Sequence, residues 1–175
     1  MFALLNRVID LFEKYTITLA FAVATLLLFT NVVLRYVFDY GLSWVLESVQ
    51  YLFAWVVLVG AAYGVKTGTH LGIDILVIKL PPALRKATVV LAVLLCITFV
   101  IVVDYYSIIY IIKIHGWGDR TQDLHIPQWI PYLAIPAGLS LMLYHFLHVG
   151  WELITNRRQT IHASELPEVI GELPR

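Results

Sequence analysis

A single cysteine, Cys96, occurs in 175 residues, so no intrachain disulfide and no thiolate metal site can form. Charge is nearly as scarce. Only 14% of residues are Asp, Glu, Lys or Arg, and twelve cations balance twelve anions. That balance leaves no basic footprint for nucleic acid and no acidic tail. Catalytic arrangements are missing too: there is no nucleophile beside a base, no paired carboxylates and no glycine-rich phosphate loop at recognisable spacing, so an enzyme is not expected. No internal repeat is apparent, which excludes the visible signature of a self-sufficient, inverted-repeat transporter. The N-terminus does not read as a cleavable signal, because Asp10 and Glu13 accompany Arg7 and Lys14 and the apolar run continues beyond them.

What is present in abundance is hydrocarbon, at 60% of residues. Charge-free windows cover residues 15–34, 48–65, 87–103 and 126–151, each near the roughly 20 residues a helix needs to cross about 30 Å of lipid. These windows are apolar on every face rather than alternating, and in lipid only a helix then satisfies its own backbone. The expectation is an all-α integral membrane protein with four transmembrane helices, spanning about 15–35, 44–65, 84–108 and 127–152 within a membrane domain of residues 15–154. Residues 1–14 place Phe2, Leu5, Ile9 and Phe12 on one helical stripe, which suits an interfacial amphipathic segment; a simple extension of the first span is the alternative. Residues 155–175 form a polar tail.

Cations in the connections set the orientation. Arg7, Lys14, Lys66, Lys79, Arg85, Lys86, Arg157, Arg158 and Arg175 would share one side, against Arg35, Lys113 and Arg120 on the other. Both termini are therefore expected in the cytoplasm. Asp39, Tyr40 and Gly41 supply turn chemistry between the first two spans, which makes them antiparallel neighbours. Residues 73–80 read as an interfacial segment before Pro81 and Pro82 start the third helix. That helix is expected to continue past Asp104 through Tyr105, Tyr106 and Tyr110, an aromatic belt that would leave Asp104 near the membrane edge. Residues 113–125 form the one substantial extracytoplasmic loop, and Pro127, Pro131 and Pro136 should delay or kink the fourth helix.

The informative polar groups cluster in residues 31–74. Arg35, Trp44 and Glu47 sit at the edge of a span, where Glu47 can pair with Arg35, cap a helix or contact a partner. A helix starting near Ser43 puts Glu47, Gln50, Tyr51 and Ala54 on one face. Gly60 and Gly64 make a small-residue packing motif, with Gly68 and Gly72 at the span's end. His70 and Asp74 are four apart, and His145, His148 and Glu152 fall at i, i+3 and i+7. Two ligands make a poor metal site, and the second group lies where polar side chains can reach water, so no metal is assigned. A small four-helix anchor or cytochrome-like electron carrier is the rival reading. It is disfavoured because the two histidines inside a span share one helix, whereas haem needs them on facing helices. Span centres hold few polar groups, among them Asn31, Thr25, Thr98 and Ser140.

NVVLRYVF closing the first span, LSWVLESVQYLFAWVVLVGAA through the second, HLGIDIL, KLPPALRK and DLHIPQWIPYLAIPAGLSLMLYHF follow in an order that resembles the small membrane subunit, DctQ type, of tripartite ATP-independent periplasmic (TRAP) transporters. The resemblance covers roughly residues 15–150. The family commonly has two acids after the tryptophan; here Leu46 stands at the first position, Glu47 at the second, and Gln50 where a basic residue is frequent. The resemblance implies an inner-membrane scaffold subunit that binds no cofactor. It would brace a separate, larger, sodium-coupled membrane subunit, while a soluble periplasmic binding protein delivers an organic acid such as a C4-dicarboxylate or sialic acid. The binding protein would meet the ends at 35–44 and 113–125, and Arg35, Trp44, Glu47, Gln50, Tyr51, Gly60, Gly64, His70 and Asp74 would be structural or partner contacts.

Overall fold

The computed structural model describes residues 2–67 and 82–154. They form five helices: α1 Phe2–Val37, α2 Ser43–Thr67, α3 Pro82–Trp117, α4 Trp129–Tyr132 and α5 Ala134–Ile154. No strand occurs among the described residues, and one isolated bridge joins Arg120 to Pro127. Four segments are long and apolar enough to cross a membrane: Asn6–Val37, Ser43–Thr67, Ala87–Trp117 and Trp129–Trp151. The expected segment 73–80 and the tail lie outside the described residues.

Helices α1 and α3 run longer than the charge-free windows. Each has 36 residues, about 54 Å at the α-helical rise, against about 30 Å of hydrocarbon. A charge ends a hydrophobic window without ending a helix. Thus α1 is unbroken through residue 14, so the first turns and the span are one element. In the same way α3 passes Lys113 and His115 and stops at Trp117, before Gly118 at φ +71°. The loop expected at 113–125 is consequently the shorter segment 118–128. The prolines act as anticipated: a four-residue α4 precedes α5, with Leu133 between them.

The helices pack in a row rather than as a four-cornered bundle. α2 lies against α1 on one side and α5 on the other, and α3 packs on the far side of α5. Ala24 meets Val45 and Val49 at the α1–α2 seam. Val65, Val100, Leu139 and Phe146 join α2, α3 and α5, while Val93 and Val149 extend the α3–α5 seam. A row leaves both faces open. Only 11% of the best α1 window and 33% of the α5 window are buried within the chain, and Leu26, Phe29, Leu95 and Phe99 point outward, as side chains do toward lipid or a membrane partner.

One glycine sets how closely two helices approach. A Cβ on Gly138 would lie 2.6 Å from Leu58 Cβ and 3.0 Å from its carbonyl carbon, so α5 seats against the α2 backbone only because position 138 has no side chain. A Cβ on Gly60 or Gly64 would meet nothing within 4 Å. Among the described residues, no neighbouring helix uses the packing motif expected there. Both glycines lie on the open face of α2 with Leu46, Phe53 and Val57, because α2's buried stripe (Val45, Val49, Val59, Ala62, Val65) runs along its other side.

Candidate functional site

The end of the row that carries the 38–42 turn and the 118–128 loop holds the densest polar arrangement. α1 closes with Leu34 O accepting from both Phe38 N–H and Tyr40 N–H (3.1 Å each), and Asp39 takes φ +55°, a left-handed conformation that aspartate tolerates better than most residues. Asn31, buried in α1, accepts a hydrogen bond from Leu42 N–H through its side-chain oxygen (2.9 Å). The first turn of α2 is thereby fixed against α1, and Ser43 opens the helix.

Four residues into α2, Glu47 reaches across to the distant loop. Its Oε1 accepts from Tyr51 O–H (2.9 Å) and Gln122 N–H (3.1 Å), and its Oε2 accepts from Asp123 N–H and Leu124 N–H (2.8 Å each). Three successive amides converging on one carboxylate form a nest, with the charge supplied by a side chain of another helix. The loop is closed internally as well. Thr121 N–H donates to Ile126 O (2.9 Å), Ile126 N–H to Thr121 Oγ1 (3.2 Å), Gln128 N–H to Asp119 O (3.0 Å) and the Arg120 guanidinium to His125 O (3.0 Å). His125 takes φ +56° to complete the return.

Tyr132 of α4 joins the elements beneath this loop. Its ring lies 6.4 Å from Tyr51 and 6.1 Å from Tyr110, while His115 and Trp129 meet edge to face at 5.3 Å. Between α2 and the loop is a cleft of about 420 Å³ whose walls include Glu47, Gln50, Tyr51, Arg120, Gln122 and Tyr132. Its floor carboxylate is already saturated by four donors. What faces an incoming group is a mixture of amides and hydroxyls with two carboxylates, Glu47 and Asp123, against the single guanidinium of Arg120, an arrangement suited to hydrogen bonding and not to holding a dianion.

Of the residues singled out in the sequence, Glu47, Gln50 and Tyr51 thus meet at one cleft. Arg35 does not pair with Glu47: it is exposed and makes no ion pair among the described residues, with its stem beside Gly41. Trp44 is half-exposed at the same end, and its carbonyl accepts from Ser48 Oγ (2.8 Å). Gly60 and Gly64 lie apart on the open face, and His70 and Asp74 are outside the described residues. No group of three potential metal ligands occurs among the described residues.

Two buried polar centres were not legible in the sequence. Asp104 is buried near the middle of the segment Ala87–Trp117, because α3 continues past it. Its carboxylate accepts from Ser140 Oγ of α5 (3.0 Å) and Ser107 Oγ (3.3 Å). At the opposite end of the row, His145 Nε2 lies 2.7 Å from Glu13 Oε1. His145, expected with His148 where side chains reach water, is instead buried against Glu13, while His148 is exposed; the partners themselves were hinted at by spacing alone, since Asn6, Asp10 and Glu13 follow one helix face, as do Asp104 and Ser107.

Residues 24–156 match the family model described as "Tripartite ATP-independent periplasmic transporters, DctQ component". The chain is 33% identical to the C4-dicarboxylate TRAP transporter small permease protein DctQ of Vibrio cholerae, over 89% of this chain and 77% of that one. It is 29% identical to the protein of the same name from Rhodobacter capsulatus, over 83% and 77%, and 37% identical to a putative TRAP transporter small permease protein of Haemophilus influenzae, over 68% and 67%. A multi-pass inner-membrane protein with four spans, this family match and these relatives is a transport component and not an enzyme: the chain belongs to the DctQ family of TRAP transporter small permease subunits.

Proposed function

We propose that this small permease subunit acts as a scaffold, bracing the large membrane subunit while a periplasmic binding protein delivers an organic acid. Sodium coupling and substrate binding reside in the large subunit, and this chain binds no cofactor. Both termini face the cytoplasm, in line with the excess of Lys and Arg on their side, and the loop 118–128 faces the periplasm. The C4-dicarboxylate class is the proposed substrate, by similarity to the Vibrio and Rhodobacter proteins.

The observation that carries the scaffold reading is the helix row. Four spans in line present a wide apolar wall on each side, and a wall widens a partner's footprint in the bilayer without enclosing a path of its own. The cleft at Glu47 adds a rigid polar edge at the loop end, available to a soluble component. An electron-carrier role gains no support, since the His145 ring is engaged by Glu13. Affinity purification of the tagged chain from its native membrane tests the proposal. A large hydrophobic subunit should accompany it, and the isolated chain should bind no C4-dicarboxylate by calorimetry. Tight binding of the acid to the chain alone would refute a pure scaffold.

A further inference from the structure

We propose that Glu13 and His145 form a proton-dependent clasp that fastens the first turns of α1 to α5. The pair spans 132 positions in sequence, is 2.7 Å apart and is almost wholly buried, with Glu13 at 0% and His145 at 6% side-chain exposure. The middle of α1 is held to α2 by the apolar contacts of Ala24, Leu27 and Leu28. Its N-terminal part is held differently. Asn6, Asp10 and Glu13, at i, i+4 and i+7, contact Tyr144, Lys66 and His145 in turn, so this part of the helix rests on polar partners.

The chemistry of the buried pair makes its proton count matter. Holding one proton between them, carboxylate and imidazole are neutral together, whichever carries it. With no proton the site has a net negative charge, and with two a net positive one, and a buried uncompensated charge is costly. Among the described residues, no other ion pair reaches Glu13 or His145. Glu13 Oε2 is buried without a hydrogen-bond partner, so among the described residues His145 is the carboxylate's one partner. On α1, Arg7 and Lys14 are exposed and Asp10 is committed to Lys66 of α2. On α5, Tyr144 donates to Asn6, with its ring edge-on to His145, and His148 is exposed. The Asp10–Lys66 pair, one turn from Glu13, is about one-third exposed, so solvent comes within one helical turn of the clasp.

Grip on α1 should consequently be greatest when the pair holds one proton and should weaken on both sides of that window. Each single substitution removes one side only. In Glu13→Gln the remaining His145 is neutral at high pH and charged at low pH, so loosening survives in acid and is lost in alkali. In His145→Gln the remaining carboxyl is neutral at low pH and charged at high pH, so the reverse holds.

The test uses the full chain in lipid nanodiscs, with Cys96 replaced by Ser and spin labels at the exposed positions Val8 and Leu147. The α1–α5 distance distribution is measured by pulsed electron resonance across a pH series. The expected result is a narrow distribution at intermediate pH that broadens toward both extremes, with opposite halves of that response lost in the two variants. A distribution unchanged with pH, or the two-sided response persisting in either variant, would overturn the clasp. Should a labelled variant fail to fold, amide exchange of the first turns of α1 in the unlabelled wild type across the same pH series decides: protection must pass through a maximum, and a flat profile overturns the proposal.

Discussion

Replacing Gly138 by alanine opposes two effects of known size. Alanine favours a helix interior over glycine by about 1 kcal/mol, so on propensity alone the variant should be more stable. The new Cβ, however, would stand 2.6 Å from Leu58 Cβ and 3.1 Å from Leu58 O, where carbon–carbon contact is comfortable at about 3.5–4.0 Å. A Cβ cannot rotate away, and its neighbours include backbone of α2, so α2 and α5 must separate locally by about 1 Å, a gap that forfeits a quarter to a half of the dispersion well at each contact it opens. Overpacking of this kind costs about 1–3 kcal/mol. The seam affected is the one that joins the α1–α2 half of the row to the α3–α5 half, which places the cost in the upper part of that range and the net loss at about 1–2 kcal/mol. Thermal unfolding of the purified chain in one detergent, with wild type, Gly138→Ala, Gly60→Ala and Gly64→Ala side by side, tests it. Gly138→Ala should melt lower, while the other two, with nothing within 4 Å of the new carbon, should melt at or above wild type. If all three shift in the same direction, close approach at Gly138 does not set the helix spacing.

Glu47→Ala should release the loop, seen as faster amide exchange at Gln122, Asp123 and Leu124, whereas Tyr51→Phe, which removes one of four donors to the carboxylate, should leave those amides protected. In the assembled transporter, Glu47→Gln should impair assembly or uptake without altering sodium dependence; altered sodium dependence would place Glu47 in the ion path. Asn31→Ala strands Leu42 N–H and should cost about 1–2 kcal/mol, the usual penalty for an orphaned part-buried donor, read by thermal unfolding. Asp104→Asn keeps an acceptor for Ser140 and should be tolerated, whereas Asp104→Leu leaves the hydroxyls of Ser107 and Ser140 without the carboxylate and should lower the melting temperature more than the amide does.

Glu47 illustrates how far sequence reading goes. Its isolation at the start of an apolar span marked it as informative, and the helix start at Ser43 correctly put Tyr51 beside it. The partner anticipated, Arg35, was chosen for its charge and nearness along the chain. The carboxylate instead binds three amides 75–77 positions away, because neutral backbone N–H groups converging in a tight loop satisfy an anion as well as a cation does. Backbone donors leave no mark in the side-chain sequence. Gly60 and Gly64 teach the converse, since small residues at helical spacing allow close packing without saying which helix, if any, uses it.

Membrane insertion is settled segment by segment. Partitioning into lipid sums over each window of the chain, and the backbone must then satisfy itself, so four helical spans, their approximate limits and the order of motifs that marks the DctQ family were determined by the sequence alone. The order of neighbours across the row, the close approach at Gly138 and the pairings of Glu47, Asp104 and Glu13 were decided only in the tertiary structure. Helices that are apolar on nearly every face carry little preference for one neighbour over another. The choice falls to a few small or polar side chains, whose partners lie up to 138 residues away in the chain and become neighbours only once the helices have packed.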